Sequence, residues 1–145
     1  MGKETLLDVR NLSVCFGAGK DKLLAVDRVS FSIRKGETVA LVGESGSGKT
    51  VSALSILKLL PYPAASHPSG EIWFEGNDLL HKPDSEMQEI RGDRISMIFQ
   101  EPMTSLNPLH SIEKQVGEVL KIHRGMDNAA AHTRVLELLQ KVGIR

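Results

Sequence analysis

Gly43-Glu44-Ser45-Gly46-Ser47-Gly48-Lys49-Thr50 decides the reading of this 145-residue chain. The octet fits G-x-x-x-x-G-K-[ST], a loop whose backbone N–H groups cradle phosphates. Glycines and small serines let successive N–H groups turn inward as a concave anion nest. Lys49 adds a mobile positive charge for the β- and γ-phosphates, and the Thr50 hydroxyl is placed to ligate Mg²⁺. The helix predicted to begin here aims the positive end of its dipole at the same phosphates. A plain Gly/Ser loop before a helix is the bland alternative. An accidental match in so short a chain has odds of about one in a hundred or less.

The flanks supply the setting that the loop needs. Glu37-Thr38-Val39-Ala40-Leu41-Val42 carries an apolar run that predicts a parallel strand buried on both faces. Downstream, Val51, Leu54, Ile56, Leu57 and Leu60 recur at helical spacing and predict a helix over 50–60. Pro61-Tyr62-Pro63 then stops it, and a loop is expected up to Ser69-Gly70.

Further towards the N-terminus the period is two. Leu7 and Val9, then Leu12, Val14 and Phe16, alternate with a change of parity at Arg10-Asn11. Leu24 and Val26, then Val29, Phe31 and Ile33, do the same with the change at Asp27-Arg28. These runs predict two amphipathic antiparallel ribbons, with Gly17–Asp21 as the turn between them and Arg34-Lys35-Gly36-Glu37 as a tight turn into the next strand. Towards the C-terminus, strands are expected over Glu71–Gly76 and Arg94–Phe99, with a short surface helix or loop over 79–89. Two helices follow, one on Ile112, Val116, Val119 and Leu120, the other on Val135, Leu138, Leu139 and Val142. They are split at 125–128, and Gly143 is placed as a cap.

Bulk numbers exclude several classes. Lys+Arg and Asp+Glu both total 18, so the net charge is zero, which gives no support to a nucleic-acid surface. Aromatic residues make up 4%, too few for a base-stacking platform. The single Cys15 lies in a strand pattern and predicts a buried, inert thiol in a reduced compartment. No stretch approaches the ~20 apolar residues that cross a bilayer. His67, His81, His110, His123 and His132 read as loop and surface residues.

A second constellation is Ile95-Ser96-Met97-Ile98-Phe99-Gln100-Glu101-Pro102-Met103-Thr104-Ser105-Leu106-Asn107-Pro108. An apolar strand delivers the amide of Gln100 to the mouth of a sheet, and Pro102 stiffens the exit. Such an amide can reach a metal ion or an attacking water, although a glutamine at a strand end is commonly just a solvated loop residue. Together with the octet and the β-rich segment ahead of it, this stretch resembles the nucleotide-binding subunit of an ABC transporter. The likeness is in particular to importers of oligopeptides, dipeptides, glutathione and nickel, and it covers Leu6 to Ile144.

The resemblance implies an α/β fold: a P-loop NTPase of the ABC type, with an antiparallel β-subdomain, an incomplete parallel core sheet and the start of a helical subdomain. In that frame residues 6–35 form the β-ribbons, 37–60 the P-loop strand and helix, 70–100 the strands up to the Q-loop, and 110–145 the first part of the helical subdomain. It implies that Gly43, Glu44, Ser45, Gly46, Ser47, Gly48, Lys49 and Thr50 bind the phosphates of ATP. Phe16 falls at the aromatic that stacks on adenine, with an ordinary core phenylalanine as the alternative. Thr50 and Gln100 are implied as the residues that meet Mg²⁺, and Glu101–Pro108 as the coupling loop. The implied partners are transmembrane permease subunits, a second ATP-binding subunit, identical or paralogous, and indirectly an extracytoplasmic solute-binding protein. That places the chain at the cytoplasmic face of the membrane, with no nucleic acid partner.

The chain contains no Leu-Ser-Gly-Gly-Gln segment and no apolar strand ending in Asp-Glu, so it reads as the N-terminal portion of one such domain. Phosphoryl transfer to water needs a positioned nucleophile and charge neutralisation. The chain is therefore expected to bind ATP without hydrolysing it efficiently. A non-enzymatic ATP-binding remnant or regulatory module is the alternative. A GTPase would want Asn-Lys-x-Asp, which is absent. A nucleotide kinase would open with its P-loop near the N-terminus, and a dinucleotide fold would order its glycines as G-x-G-x-x-G.

Overall fold

A computed structural model describes residues 4–101 and 106–144. It divides into two compact units, residues 1–87 and 88–145, each taken by itself below.

The first unit is built on an antiparallel sheet of order β2-β1-β3-β4, comprising β1 (Thr5–Phe16), β2 (Leu23–Arg34), β3 (Ala65–Phe74) and β4 (Asn77–Asp78). The four alternating runs do not make two ribbons. They form two long strands paired with each other, and each parity change is a β-bulge. Val9 pairs with Phe31, Leu12 with Val29 and Val14 with Val26, so one extra residue on β1 is offset by one extra on β2. Asn11 and Arg28 both take φ of 47° at these points. Their amides are satisfied crosswise: Asn11 N–H donates to Ser30 Oγ at 2.8 Å, and Arg28 N–H donates to Ser13 Oγ at 3.0 Å. The bulges keep Leu7, Val9, Leu12 and Val14 all inside.

β3 starts earlier than its composition predicts, because its irregular residues meet irregular partners. Gly70, at φ 112°, lies under the Asn11 bulge, and a Cβ there would stand 2.5 Å from Leu12 Cα. His67 and Pro68 fill the break between the Cys15–Ser66 and Ser13–Ser69 pairs, where a proline costs no ladder bond. Ser69 donates to Ser13 Oγ at 2.8 Å. The buried Ser13 thus joins all three strands. Ser13→Ala is expected to cost about 1–3 kcal/mol, because it strands the Arg28 amide without its acceptor. A lowered midpoint in urea denaturation checks this.

Helix α1 (Lys49–Ile56) is shorter than the predicted 50–60. Lys58 takes φ of 51°, Leu59 N–H donates to Leu54 O and Lys58 N–H to Ser55 O, a left-handed stop formed without glycine. The helix buries Ser52 and Ser55 rather than its larger apolar residues, and Leu57 and Leu60 are buried just beyond its end. Leu79 and Met87, the latter in α2 (Asp84–Ile90), complete the core of this unit along with Cys15, Val26, Ile72 and Phe74.

The turn at 34–37 forms as expected, with Arg34 N–H donating to the Glu37 carboxylate at 2.8 Å. The strand expected over 37–42 does not form: the segment pairs with no described strand, and Val42 is 92% exposed. A parallel strand buried on both faces needs neighbours on both edges. In the second unit the strand expected over 94–99 is likewise absent apart from one bridge between Arg91 and Ile95, and Ile98 is 97% exposed. Among the described residues, then, the α/β fold carries its sheet in antiparallel form.

The second unit ends in two helices, α3 (Ile112–Arg124) and α4 (Asn128–Lys141), close to the predicted positions. Ser111 caps α3 by accepting from Lys114 N–H, and Asp127 caps α4 by accepting from Ala130 N–H. Gly125 and Gly143, both at positive φ, end them. They pack through Gly117, Ala131 and Val135, the buried residues of the pair.

Candidate functional site

The octet lies between two fixed points, the turn at Gly36 and the first residue of α1. Gly46 and Gly48 take φ of 79° and 85°, and Ser47 N–H donates to Glu44 O at 3.3 Å, closing a tight turn. Gly48 is buried against β2, where a Cβ would stand 2.8 Å from Ala25 O and 2.9 Å from Val26 Cγ2. A Cβ on Gly43 would meet Ser47 Oγ at 2.6 Å. At Gly43 and Gly48, therefore, the glycines admit neighbours that any side chain would displace.

Lys49 folds back over the loop. Its Nζ donates to Gly43 O at 2.6 Å, to Glu44 O at 2.7 Å and to Ser47 Oγ at 3.1 Å. The ammonium is thus held at the mouth of the loop by neutral acceptors, which a phosphate oxygen can replace with a charge-assisted bond of greater strength. Thr50 is exposed one residue further along, in the first turn of α1, where the leading N–H groups have no acceptor within the helix. The donor set is therefore an ammonium, two serine hydroxyls, a threonine hydroxyl and a helix N-terminus, which fits a polyphosphate carrying a hard cation.

Phe16 lies half-buried at the end of β1, paired with Leu23 on one side and Ala65 on the other. Strand β2 therefore ties Phe16 to the octet. Leu23 faces Phe16 and Ala25 faces Gly48, two residues apart, or about 7 Å along the strand. No local signal marks Ala25 and Val26 as the seat of the loop, since that contact exists only once the sheet has formed. Gln100 is exposed and belongs to the second unit. Of the expected coupling loop, Pro102 to Ser105 lie outside the described residues.

His67 and His123 are half-buried in regular elements rather than in the expected loop and surface positions, whereas His132 is on the surface as expected. His67 is in β3, where Nε2 and the Tyr62 hydroxyl share a hydrogen bond at 2.6 Å, His123 is in α3, and His132 is in α4 paired with Glu113. Burial holds His67 below the ordinary imidazole value. Cys15 is buried and free, as its strand setting predicts. Among the described residues no cluster of histidine, cysteine or carboxylate side chains could hold a metal ion, and no helix is long and apolar enough to cross a membrane.

A profile of known sequences described as ABC transporter matches residues 26–145, from the seat of the loop on β2 through the octet to the last helix. The chain belongs to the ABC transporter family. Among its relatives in that family is the peptidoglycan transport ATP-binding protein YejF of Agrobacterium fabrum. The two are 61% identical over 142 residues, which is 98% of this chain and 26% of that protein. The oligopeptide transport ATP-binding protein OppD of Bacillus subtilis is 48% identical over 139 residues, 96% of this chain and 39% of that protein. The chain thus spans between a quarter and two-fifths of these relatives. A solved structure of the ATP-binding cassette MJ0796, dimeric and bound to ADP and Pi in a post-hydrolysis state, superposes with a TM-score of 0.81. It is 27% identical, with 97% of this chain and 58% of that chain covered.

Proposed function

We propose that this chain is the N-terminal part of the ATP-binding subunit of an ABC importer for peptides or similar small solutes. Lys49 carries the reading. Its ammonium is poised on the carbonyls of Gly43 and Glu44, in a loop where an added Cβ at Gly43 or Gly48 would press on its neighbours. Gly43 to Lys49 would hold the phosphates and Thr50 the Mg²⁺, which would neutralise phosphate charge when bound. Phe16 would offer its ring to the base. Gln100 would report on the metal and the γ-phosphate.

Residues 6–35 would then be the β-ribbon part of one nucleotide-binding domain, 37–60 its P-loop segment, 70–100 the run up to the Q-loop, and 110–145 the first helices of its helical subdomain. ATP and Mg²⁺ are the proposed ligands. The proposed partners are permease subunits, a second ATP-binding subunit and, through the permease, a solute-binding protein. The name of the oligopeptide-transport relative and the dimeric form of the solved cassette support this. Such a subunit would lie on the cytoplasmic membrane face. The residues present supply a cradle and a sensing amide but no general base, so this chain by itself would bind ATP with little turnover.

Titration calorimetry with MgATP, ATP in excess EDTA, and adenosine tests the binding. MgATP is expected to bind and adenosine to bind far more weakly; equal affinities would sink the reading. Thr50→Ala should remove the advantage of MgATP over metal-free ATP and leave the latter unchanged. Uptake of labelled short peptides by cells lacking the gene, with and without a restored copy, tests the importer assignment. Equal uptake in both would remove it.

A further inference from the structure

The end of β1 that carries Phe16 rests on a short piece of β3. Ala65 pairs with Phe16 and Ser66 with Cys15, and Gly17 N–H donates to Ala64 O at 3.0 Å. β4 pairs with Trp73 and Phe74, so among the described residues this end of β3 has β1 as its one strand neighbour. The break at His67-Pro68 separates it from the Ser13–Ser69 pair and the ladder beyond. Residues 64–66 can therefore leave β1 while the rest of the sheet stays paired.

Tyr62 and His67 close this segment on itself. The Tyr62 hydroxyl and His67 Nε2 share a hydrogen bond at 2.6 Å, and their ring centroids lie 5.8 Å apart. Between them Ala65 N–H donates to Pro61 O at 2.9 Å. The weak point is the other ring nitrogen: His67 Nδ1 is buried and has no hydrogen-bond partner. A neutral ring tolerates that, because either tautomer keeps Nε2 bonded and adds no charge. An imidazolium puts a proton on the unpartnered nitrogen and a charge where burial denies it water.

The surroundings act on that charge unequally. Burial disfavours it most, the Ser13 backbone on β1 opposes this in part, and the Lys58 ammonium just past α1, held on Lys82 O at 2.8 Å, adds repulsion. Along β1 the nearest titratable side chain is the buried Cys15, which pairs with Ser66. The folded protein thus takes up this proton less readily than the unfolded chain. The segment is fully stable above pH 6.5, the ordinary imidazole value, and loses stability as pH falls through the lowered folded value.

We propose that Tyr62 and His67 form an acid-released latch on the strand segment that seats Phe16. Protonation swings the His67 ring out to water, frees residues 62–67 from β1 and leaves Phe16 without support on that side. Binding of the base then weakens, while the phosphate loop, seated on Ala25 and Val26 of β2, keeps its hold. The effect on nucleotide rests on the reading of Phe16 and the octet given above; the latch itself does not.

Hydrogen exchange by mass spectrometry on the intact gene product at pH 7.5 and pH 5.5 reads the latch, with residues 29–33 as the internal reference for intrinsic rate. Protection at 15–17 and 64–67 is expected to fall by about fivefold at pH 5.5, on the order of one net hydrogen bond. His67→Gln and His67→Phe cannot take the proton, and whichever of them folds should keep its protection at both pH values. Tyr62→Phe should lose protection at 64–67 by a similar factor already at pH 7.5. Calorimetry with MgATP and with magnesium triphosphate, which has no base, reads the consequence. The ratio of the two affinities should fall by about twofold to tenfold from pH 7.5 to pH 5.5 in wild type, the size of an aromatic contact, and stay constant in the His67 variants. Protection that ignores pH in wild type, or that falls equally in the His67 variants, would overturn the latch. A constant affinity ratio in wild type while 64–67 loosens would overturn its link to Phe16. Equal affinity for the two ligands at pH 7.5 would instead overturn the reading of Phe16 as the base contact, and exchange at 64–67 would still decide the latch.

Discussion

Lys49→Ala is expected to weaken ATP binding by about tenfold to a hundredfold or more, and to leave adenosine binding unchanged. The size follows from what the ammonium does in each state. Without nucleotide it is shared among Gly43 O, Glu44 O and Ser47 Oγ, three neutral acceptors in an exposed loop. With nucleotide it would exchange them for charged phosphate oxygens, and hydrogen bonds to charged groups are worth roughly 1.5–3 kcal/mol net. Alanine loses that difference and also releases the two carbonyls, whose negative ends would then face the phosphates. Lys49→Arg should recover little, because a planar guanidinium cannot replace a compact ammonium in so tight a loop. Calorimetric titration of ATP, ADP and adenosine into wild type and variant reads the effect. An unchanged preference for ATP over adenosine would remove Lys49 from the site.

The largest effect on stability is expected at a residue far from any chemistry. Gly70→Ala should cost more than about 3 kcal/mol, a large part of the total for a small domain. The added Cβ would stand 2.5 Å from Leu12 Cα and 2.9 Å from both Asn11 O and Leu12 N. All three atoms are backbone, so no rotamer change relieves the clash, and φ of 112° is itself strained for alanine. Relief requires β3 to move away from β1, which breaks the Ser13–Ser69 contact as well. Gly76→Ala is the control: it also sits at positive φ but meets nothing within 4 Å, and should cost only about 1–2 kcal/mol. Urea denaturation of both variants decides the matter. If Gly70→Ala is no worse than Gly76→Ala, the close approach of β3 to β1 is wrong.

Local chemistry was readable where it is self-contained. The octet, the Arg34–Glu37 turn and the stops at Gly125 and Gly143 each draw their hydrogen bonds from residues a few places away. The parity changes at Asn11 and Arg28 were visible too, but period alone cannot distinguish a bulge from a turn between short strands. What was lost depends on partners distant in sequence. Gly70 and Pro68 look like loop residues and become strand residues only because β1 presents an irregularity opposite them. Ser52 and Ser55 look like the polar face of a helix, yet they are the buried one. Val39 to Val42 and Ile95 to Phe99 have the composition of central strands, yet apart from the Arg91–Ile95 bridge neither pairs with a described segment. Of the candidate site, the phosphate-binding residues were legible from their order. The seating of Gly48 on Ala25 and Val26 was not, since nothing near either residue foretells it.

The bulges at Asn11 and Arg28 also bear on how the length of the β1–β2 hairpin can change. Between the Val9–Phe31 and Val14–Val26 pairs each strand carries one surplus residue, and the surplus on one cancels that on the other. Deleting Asn11 alone would leave β2 one residue too long, misaligning every pair beyond it, Phe16 with Leu23 included. Deleting Arg28 alone would do the same in the opposite sense. Only the joint deletion closes the ladder, and it gives up the added twist that bulges impart. Within this hairpin, lineages should therefore gain or lose these two residues together, an indel pair separated by seventeen positions but bound to a single fate.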